Sequence, residues 1–240
     1  MTLGIIGLNK NGVVIGADKR NIHADDNKPK SYTYHDSAIK VRKITPQIGI
    51  TLAGNATSLG DDIFNIVSAT SDEPDIYNLA YSIERTLRLF GDARQSFRCS
   101  TMLAGYKNPS EKTPIALYIG SYGNYNHIQL RNNTLHGIGC SSLLKMLEKP
   151  NEIERELLAN TEYQDDLEQV ISIIGKEGDC SNLTLQEMES VIKKIILLTH
   201  ILQTKSPNKE KYGGDNILHF PTVSKESEVI TIVPNSNSSS

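Results

Sequence analysis

Short apolar runs broken by turn residues open the chain. Leu3, Ile5, Ile6 and Leu8 are followed by Asn9-Lys10-Asn11-Gly12, and then by Val13, Val14 and Ile15. Runs of this length around an Asn/Gly turn predict two buried strands, residues 2–9 and 13–20, joined as a hairpin. Residues 21–36 are polar, carry Asp25-Asp26-Asn27 and Pro29, and read as a loop with extended parts. A second hairpin is predicted over 40–44 and 47–54, turning at Thr45-Pro46.

The spacing of apolar residues then becomes helical. Leu59, Ile63, Ile66 and Val67 share one face over 57–69, and Ile76, Leu79, Ala80, Ile83, Leu87 and Phe90 do so over 75–97. Pro74 suits the first turn of the second helix. Strand patterns return at 101–106, 114–120 and 135–140, with a weaker one at 127–130. A helical pattern covers 142–147. Residues 150–181 are acidic and polar and read as an insertion with a helical piece at 167–174. Thr184-x-x-Glu187 is a capping box opening a strong helix through Met188, Val191, Ile192, Ile195, Ile196, Leu198 and Leu202. Strands at 216–220 and 228–233 close the pattern, and the polar stretch 235–240 is expected to be a disordered tail. Strands and helices come in blocks, which argues for α+β layers. Two central sheets with helices on each outside, a four-layer αββα sandwich, are the simplest packing of one domain over 1–234.

Composition narrows the function. The 240 residues are 38% hydrophobic and 22% charged, with a net charge of −3 and a pI near 6.1. That balance gives no basis for binding nucleic acid or an anionic membrane. No apolar run reaches the roughly 18 residues of a membrane span. The N-terminal apolar run is short and lacks preceding basic residues, so no signal peptide is expected. Cys99, Cys140 and Cys180 are odd in number and widely spaced, which suits a reducing, cytoplasmic setting. The six histidines form no HExxH pattern, and neither metal nor cofactor is expected.

The candidate chemistry begins at Thr2. Met1 precedes a small residue, so methionine aminopeptidase is expected to remove it. Thr2 then carries a hydroxyl and a free α-amine, a complete nucleophile and base on one residue. An α-amine titrates at about 7.7–8.0, near the pH at which a general base works. Asp18 follows sixteen positions later within Gly16-Ala17-Asp18-Lys19-Arg20, and Arg20 lies two further on.

With that spacing the N-terminal half resembles proteasome β subunits and the related N-terminal-nucleophile hydrolases. Lys40-Val41-Arg42-Lys43-Ile44 resembles the context of the family's catalytic lysine. Ala53-Gly54 resembles the Ala-Gly that supplies an oxyanion-hole amide. Leu103-Ala104-Gly105-Tyr106, residues 114–118, Ile138-Gly139-Cys140 and Gly213-Gly214 resemble later parts of the family pattern, so nearly the whole chain is covered apart from 150–181. No propeptide is expected before Thr2, which resembles the simpler bacterial-type and stand-alone relatives.

The resemblance implies the αββα fold and a threonine endopeptidase. Thr2 Oγ attacks a peptide carbonyl and its amine takes the proton, through a water. Lys40 lowers the hydroxyl pKa and keeps the amine neutral by like-charge proximity. Asp18 orients Lys40, Arg20 completes the motif, and the Gly54 N–H stabilises the oxyanion. Cys140 stands where the family usually has Ser, and Lys209 and Tyr212 stand where it has Asp and Ser. Asn21, Ala38, Leu52 and Ala56 fall at the family's primary substrate pocket and predict an apolar or neutral side chain of medium size. The implied partners are polypeptide substrate, a homo-oligomeric ring or proteasome-type subunits, and an ATPase. Two other readings share the fold. One is an amide-bond transferase like the archaeal connectases, which resolve the same acyl-enzyme with an amine. The other is a non-catalytic ring subunit, against which the complete set Asp18, Arg20, Lys40 and Gly54 argues.

Overall fold

The structure is a computed structural model. It describes residues 2–24, 32–54, 63, 65, 75–93, 99–107, 110–120, 124–140, 144, 149, 151–212, 214 and 220–234. One antiparallel sheet has the order β10-β1-β2-β11, from β1 (Leu3–Asn9), β2 (Gly12–Asp18), β10 (Leu135–Gly139) and β11 (Ser227–Ile232). The other has the order β5-β6-β7-β8-β9, from β5 (Val41–Thr45), β6 (Ile48–Gly54), β7 (Cys99–Gly105), β8 (Ile115–Gly120) and β9 (Ile128–Gln129).

Every residue of β1 and β2 is buried, because this sheet is covered on both faces. Alternation sorts the side chains. Leu3, Ile5 and Val14 join the cluster built on α4 (Leu185–Lys205), whereas Ile6, Leu8, Val13 and Ile15 meet Met102, Ala104 and Ala116 of the facing sheet. On the second sheet Ile48, Ile50, Leu52, Leu103 and Leu117 turn outward to α1 (Ile76–Ala93), through Ile76, Leu79, Ala80, Ile83 and Leu87. The layers are therefore helix, sheet, sheet, helix, as the blocks of pattern predict.

α4 starts at the expected capping box: Thr184 Oγ1 accepts the Glu187 N–H at 3.2 Å, and the Thr184 N–H donates to Glu187 Oε2 at 2.8 Å. Two regions add detail to the pattern reading. Residues 21–36, read as a loop with extended parts, pair those parts in an antiparallel ladder between β3 (Asn21–Ala24) and β4 (Tyr32–His35). Ile22, Tyr32, Thr33 and Tyr34 favour extended backbone, and their polar neighbours masked that preference. Residues 150–181 hold two helices, α2 (Glu152–Ala159) and α3 (Gln164–Ile174), where one was expected. Asn151 and Glu154 form a second capping box at the start of α2. Within 57–69 and 142–147 the described residues Ile63, Asn65 and Leu144 are helical. The remainder of those spans, residues 216–219 of the strand expected there, and the tail 235–240 lie outside the described residues.

Candidate active site

Thr2 sits at the entrance of β1 and is 3% exposed. Its position is fixed from the neighbouring strand. The Cys140 N–H donates to the Thr2 carbonyl at 2.9 Å, one step beyond the Leu3–Gly139 pair of the β1–β10 ladder. Gly139 has φ +74°, and a Cβ there would fall 1.7 Å from the Thr2 carbonyl oxygen and 3.3 Å from Ala53 Cβ. Only glycine allows that approach, which brings the end of β6 against the residue that holds Thr2.

Asp18 closes β2 and gathers the site. Its Oδ1 accepts the Leu3 N–H at 2.8 Å; its Oδ2 accepts the Arg20 N–H at 2.9 Å and the Ser224 N–H at 3.3 Å. Lys40 Nζ donates to both oxygens, at 3.2 and 3.1 Å, and also to the Arg20 carbonyl. The two side chains are 0% and 1% exposed. Burial pulls the Lys40 ammonium below the usual lysine range, while Asp18 acts the other way. Lys40 is thus held between the cost of desolvation and the attraction of Asp18, whose carboxylate also binds the amide that follows Thr2.

Arg20 joins the site through its backbone, and its guanidinium is a buried brace. Nε and Nη2 donate to the two carboxylate oxygens of Asp36 at 2.8 and 2.7 Å, Nη1 donates to the Pro221 carbonyl at 2.6 Å, and the group lies 3.9 Å over the Tyr34 ring. This bidentate clamp ties the end of β2 to residue 36 and to the segment before β11. It holds the Asp36 carboxyl below the usual range.

Gly54 ends β6 in the left-handed region at φ +75° and is exposed. Cys140 is buried, with Sγ 3.8 Å from Thr222 Oγ1, and burial pushes its thiol pKa up. Thr222 and Ser224 were not anticipated. Thr222 Oγ1 donates to Gln203 Oε1 at 3.2 Å, and the Val223 N–H reaches the same oxygen at 2.9 Å. Their one sequence signal is a pair of small hydroxyl residues, Thr222 and Ser224, just before the last strand. Lys209 and Tyr212 lie in a 3-10 turn after α4, where the Lys209 carbonyl accepts the Gly214 N–H at 2.9 Å.

The expected substrate positions divide. Asn21 opens β3, and Ala38 donates its N–H to the Lys19 carbonyl at 3.0 Å; both are half-buried beside the Asp18-to-Lys40 frame. The Leu52 N–H donates to the Lys40 carbonyl at 3.1 Å, but its side chain is 0% exposed in the cluster facing α1. Ala56 lies outside the described residues. Among the described residues no group of three or more His, Cys, Asp or Glu is gathered for a metal ion. None of their helices is long and apolar enough to cross a membrane.

A buried threonine at the head of the first strand, a buried lysine–aspartate pair bound to the next amide of that strand, and two covered antiparallel sheets define a protein of the N-terminal-nucleophile fold. The family model described as "Proteasome subunit" matches residues 2–185, and the chain belongs to that family. Two solved structures share the fold. The Anbu (Gly-1) mutant from Hyphomicrobium sp. strain MC1 has a TM-score of 0.56 and 14% identity, covering 97% of this chain and 82% of that one. Anbu (ancestral beta-subunit) from Yersinia bercovieri has a TM-score of 0.59 and 13% identity, with the same coverages of 97% and 82%. No curated protein matches the chain.

Proposed function

We propose that the chain is a threonine endopeptidase acting through an acyl-enzyme on Thr2. The observation that carries this reading is the buried Lys40, held by Asp18 and the Arg20 carbonyl, with Asp18 also binding the amide that follows Thr2. Burying that charge costs stability that its attraction to Asp18 offsets only in part, a cost we assign to chemistry at Thr2.

Removal of Met1 frees the Thr2 α-amine. That amine takes the Oγ proton through a water as Oγ attacks the peptide carbonyl, and Lys40 holds it neutral by like-charge repulsion. The developing oxyanion faces the Gly54 N–H. Collapse breaks the C–N bond, and the proton on the Thr2 amine passes to the departing amine. Water then hydrolyses the ester to regenerate Thr2. Asn21 and Ala38 border the entry and suit a modest, uncharged side chain. Proteasome-family subunits generally assemble into rings. A homo-oligomeric cytoplasmic ring supplied with polypeptide by an ATPase is the corresponding assembly.

The test is intact-mass analysis after incubation with a Thr-directed covalent inhibitor. Wild type should have lost Met1 and carry one adduct, and Thr2→Ala should carry none. A wild-type chain that takes up no adduct would sink the reading and leave a structural ring subunit. If the adduct forms, peptide with excess amine separates hydrolysis from amide-bond transfer, because only a transferase accumulates ligated product.

A further inference from the structure

We propose that His23 and His35 form a two-ligand site for a divalent transition-metal ion of the kind imidazole prefers, such as zinc, nickel or copper. The β3–β4 register pairs Asn21 with His35 and His23 with Thr33. His23 and His35 are therefore diagonal neighbours on one face of the hairpin, and both are exposed. Their Nε2 atoms are 3.0 Å apart, with ring centroids 5.0 Å apart and planes inclined by 22°. Two imidazole nitrogens bound to one ion at about 2.0–2.1 Å stand roughly 3 Å apart, so the pair is already at chelating separation. A small swing of each exposed ring turns both lone pairs onto a common point.

A second contact orients the pair. His35 Nδ1 lies 2.9 Å from Ser37 Oγ. When Ser37 accepts the Nδ1 proton, His35 Nε2 is an acceptor and His23 Nε2 carries the shared proton. Metal binding then requires only that His23 move its proton to Nδ1. Both ligands remain neutral and no net proton is released. A polar atom holding the distal nitrogen of a ligating histidine is the usual support of such sites.

The other described histidines have partners elsewhere: His127 with Glu84, His136 with the Arg131 carbonyl and His200 with the Val223 carbonyl. The hairpin supplies two ligands and water supplies the others. Hard cations that demand oxygen, such as calcium, do not fit. The ion would clip residues 23 and 35 together across the exposed ladder. It would thereby brace the hairpin that starts at Asn21, directly after the carbonyl that binds Lys40.

Tag-free protein is titrated calorimetrically with zinc and with nickel, with calcium as the control, while thermal unfolding is followed in parallel. Wild type should take up one zinc per chain and gain thermal stability, without response to calcium. His23→Gln and His35→Gln should each abolish that uptake while melting as metal-free wild type does. Ser37→Ala should weaken it about tenfold or more. Absence of zinc uptake by wild type, or unchanged uptake by the His23→Gln, His35→Gln double variant, overturns the site. The measurement involves neither Thr2 nor the inhibitor adduct, so its outcome is separate from that of the peptidase reading.

Discussion

Lys40 Nζ lies 3.1 Å from Asp18 Oδ2, and neither side chain reaches solvent. The two partners are not equivalent. Asp18 also accepts three backbone N–H groups, from Leu3, Arg20 and Ser224, and so holds β1, β2 and the segment before β11 together. Asp18→Ala orphans those amides and the buried ammonium, and is expected to cost about 3–5 kcal/mol in urea unfolding. Lys40→Met leaves Asp18 with its amide donors and removes the expensive cation. It should cost less stability than Asp18→Ala, yet lose the Thr2 adduct. Equal losses of stability in the two variants would show that the amides do not anchor Asp18.

Gly139 carries a separate prediction about position. Its φ of +74° disfavours a side chain, and a Cβ would strike the Thr2 carbonyl. Gly139→Ala therefore displaces Thr2. A misplacement of about 1 Å is expected to slow adduct formation roughly a hundredfold. Circular dichroism with a single-turnover adduct assay separates this from unfolding: the variant should keep its far-ultraviolet spectrum and lose rate.

Much of this was legible in the chain. Full burial of β1 and β2 follows from their near-continuous apolar runs, and the sixteen-residue spacing from Thr2 to Asp18 survives because a tight hairpin sets it. Lys40 and Gly54 flank the next hairpin for the same reason. The rest depended on contacts distant in sequence. Ser224 meets Asp18 across 206 positions, and Thr222 meets Cys140 across 82, with no local pattern to announce either. Leu52 shows the converse: strand alternation beside Thr51 turns its side chain toward α1. α2 is hidden in the pattern although Asn151-x-x-Glu154 is a cap signal, because the acidic composition around it reads as loop.

Acid should weaken the fold in two stages. Burial lowers the His136 and His200 pKa values from 6.5, so the folded chain favours their neutral forms. The unfolded chain takes up those protons first. Stability is therefore complete above about 6.5 and falls as pH drops through that value toward the folded pKa values. Asp36 acts lower. Arg20 depresses its pKa below 3.8, so its contribution is present above 3.8 and is lost as pH falls through the folded value. His200→Asn, which keeps a donor for the Val223 carbonyl, should shrink the upper stage to the share of His136, and Asp36→Asn should remove the lower. Thermal melts between pH 3 and 8 read both, and coincident curves for His200→Asn and wild type would refute the assignment.

Thr222 links the site to α4. Gln203 is 2% exposed, and its Oε1 accepts both the Thr222 hydroxyl and the Val223 N–H. Because an amide oxygen only accepts, the Thr222 proton points to Gln203, and its oxygen is turned toward the Cys140 thiol. Thr222→Val preserves shape and removes that oxygen. It leaves Gln203 with the Val223 N–H, so the expected cost is about 1–2 kcal/mol, less than a fully orphaned acceptor. Thr222→Ser keeps the hydroxyl and should restore most of it. Chemical denaturation of the two variants checks the order, and a Thr222→Ser protein as unstable as Thr222→Val would mean that the methyl group, not the hydroxyl, supports this corner.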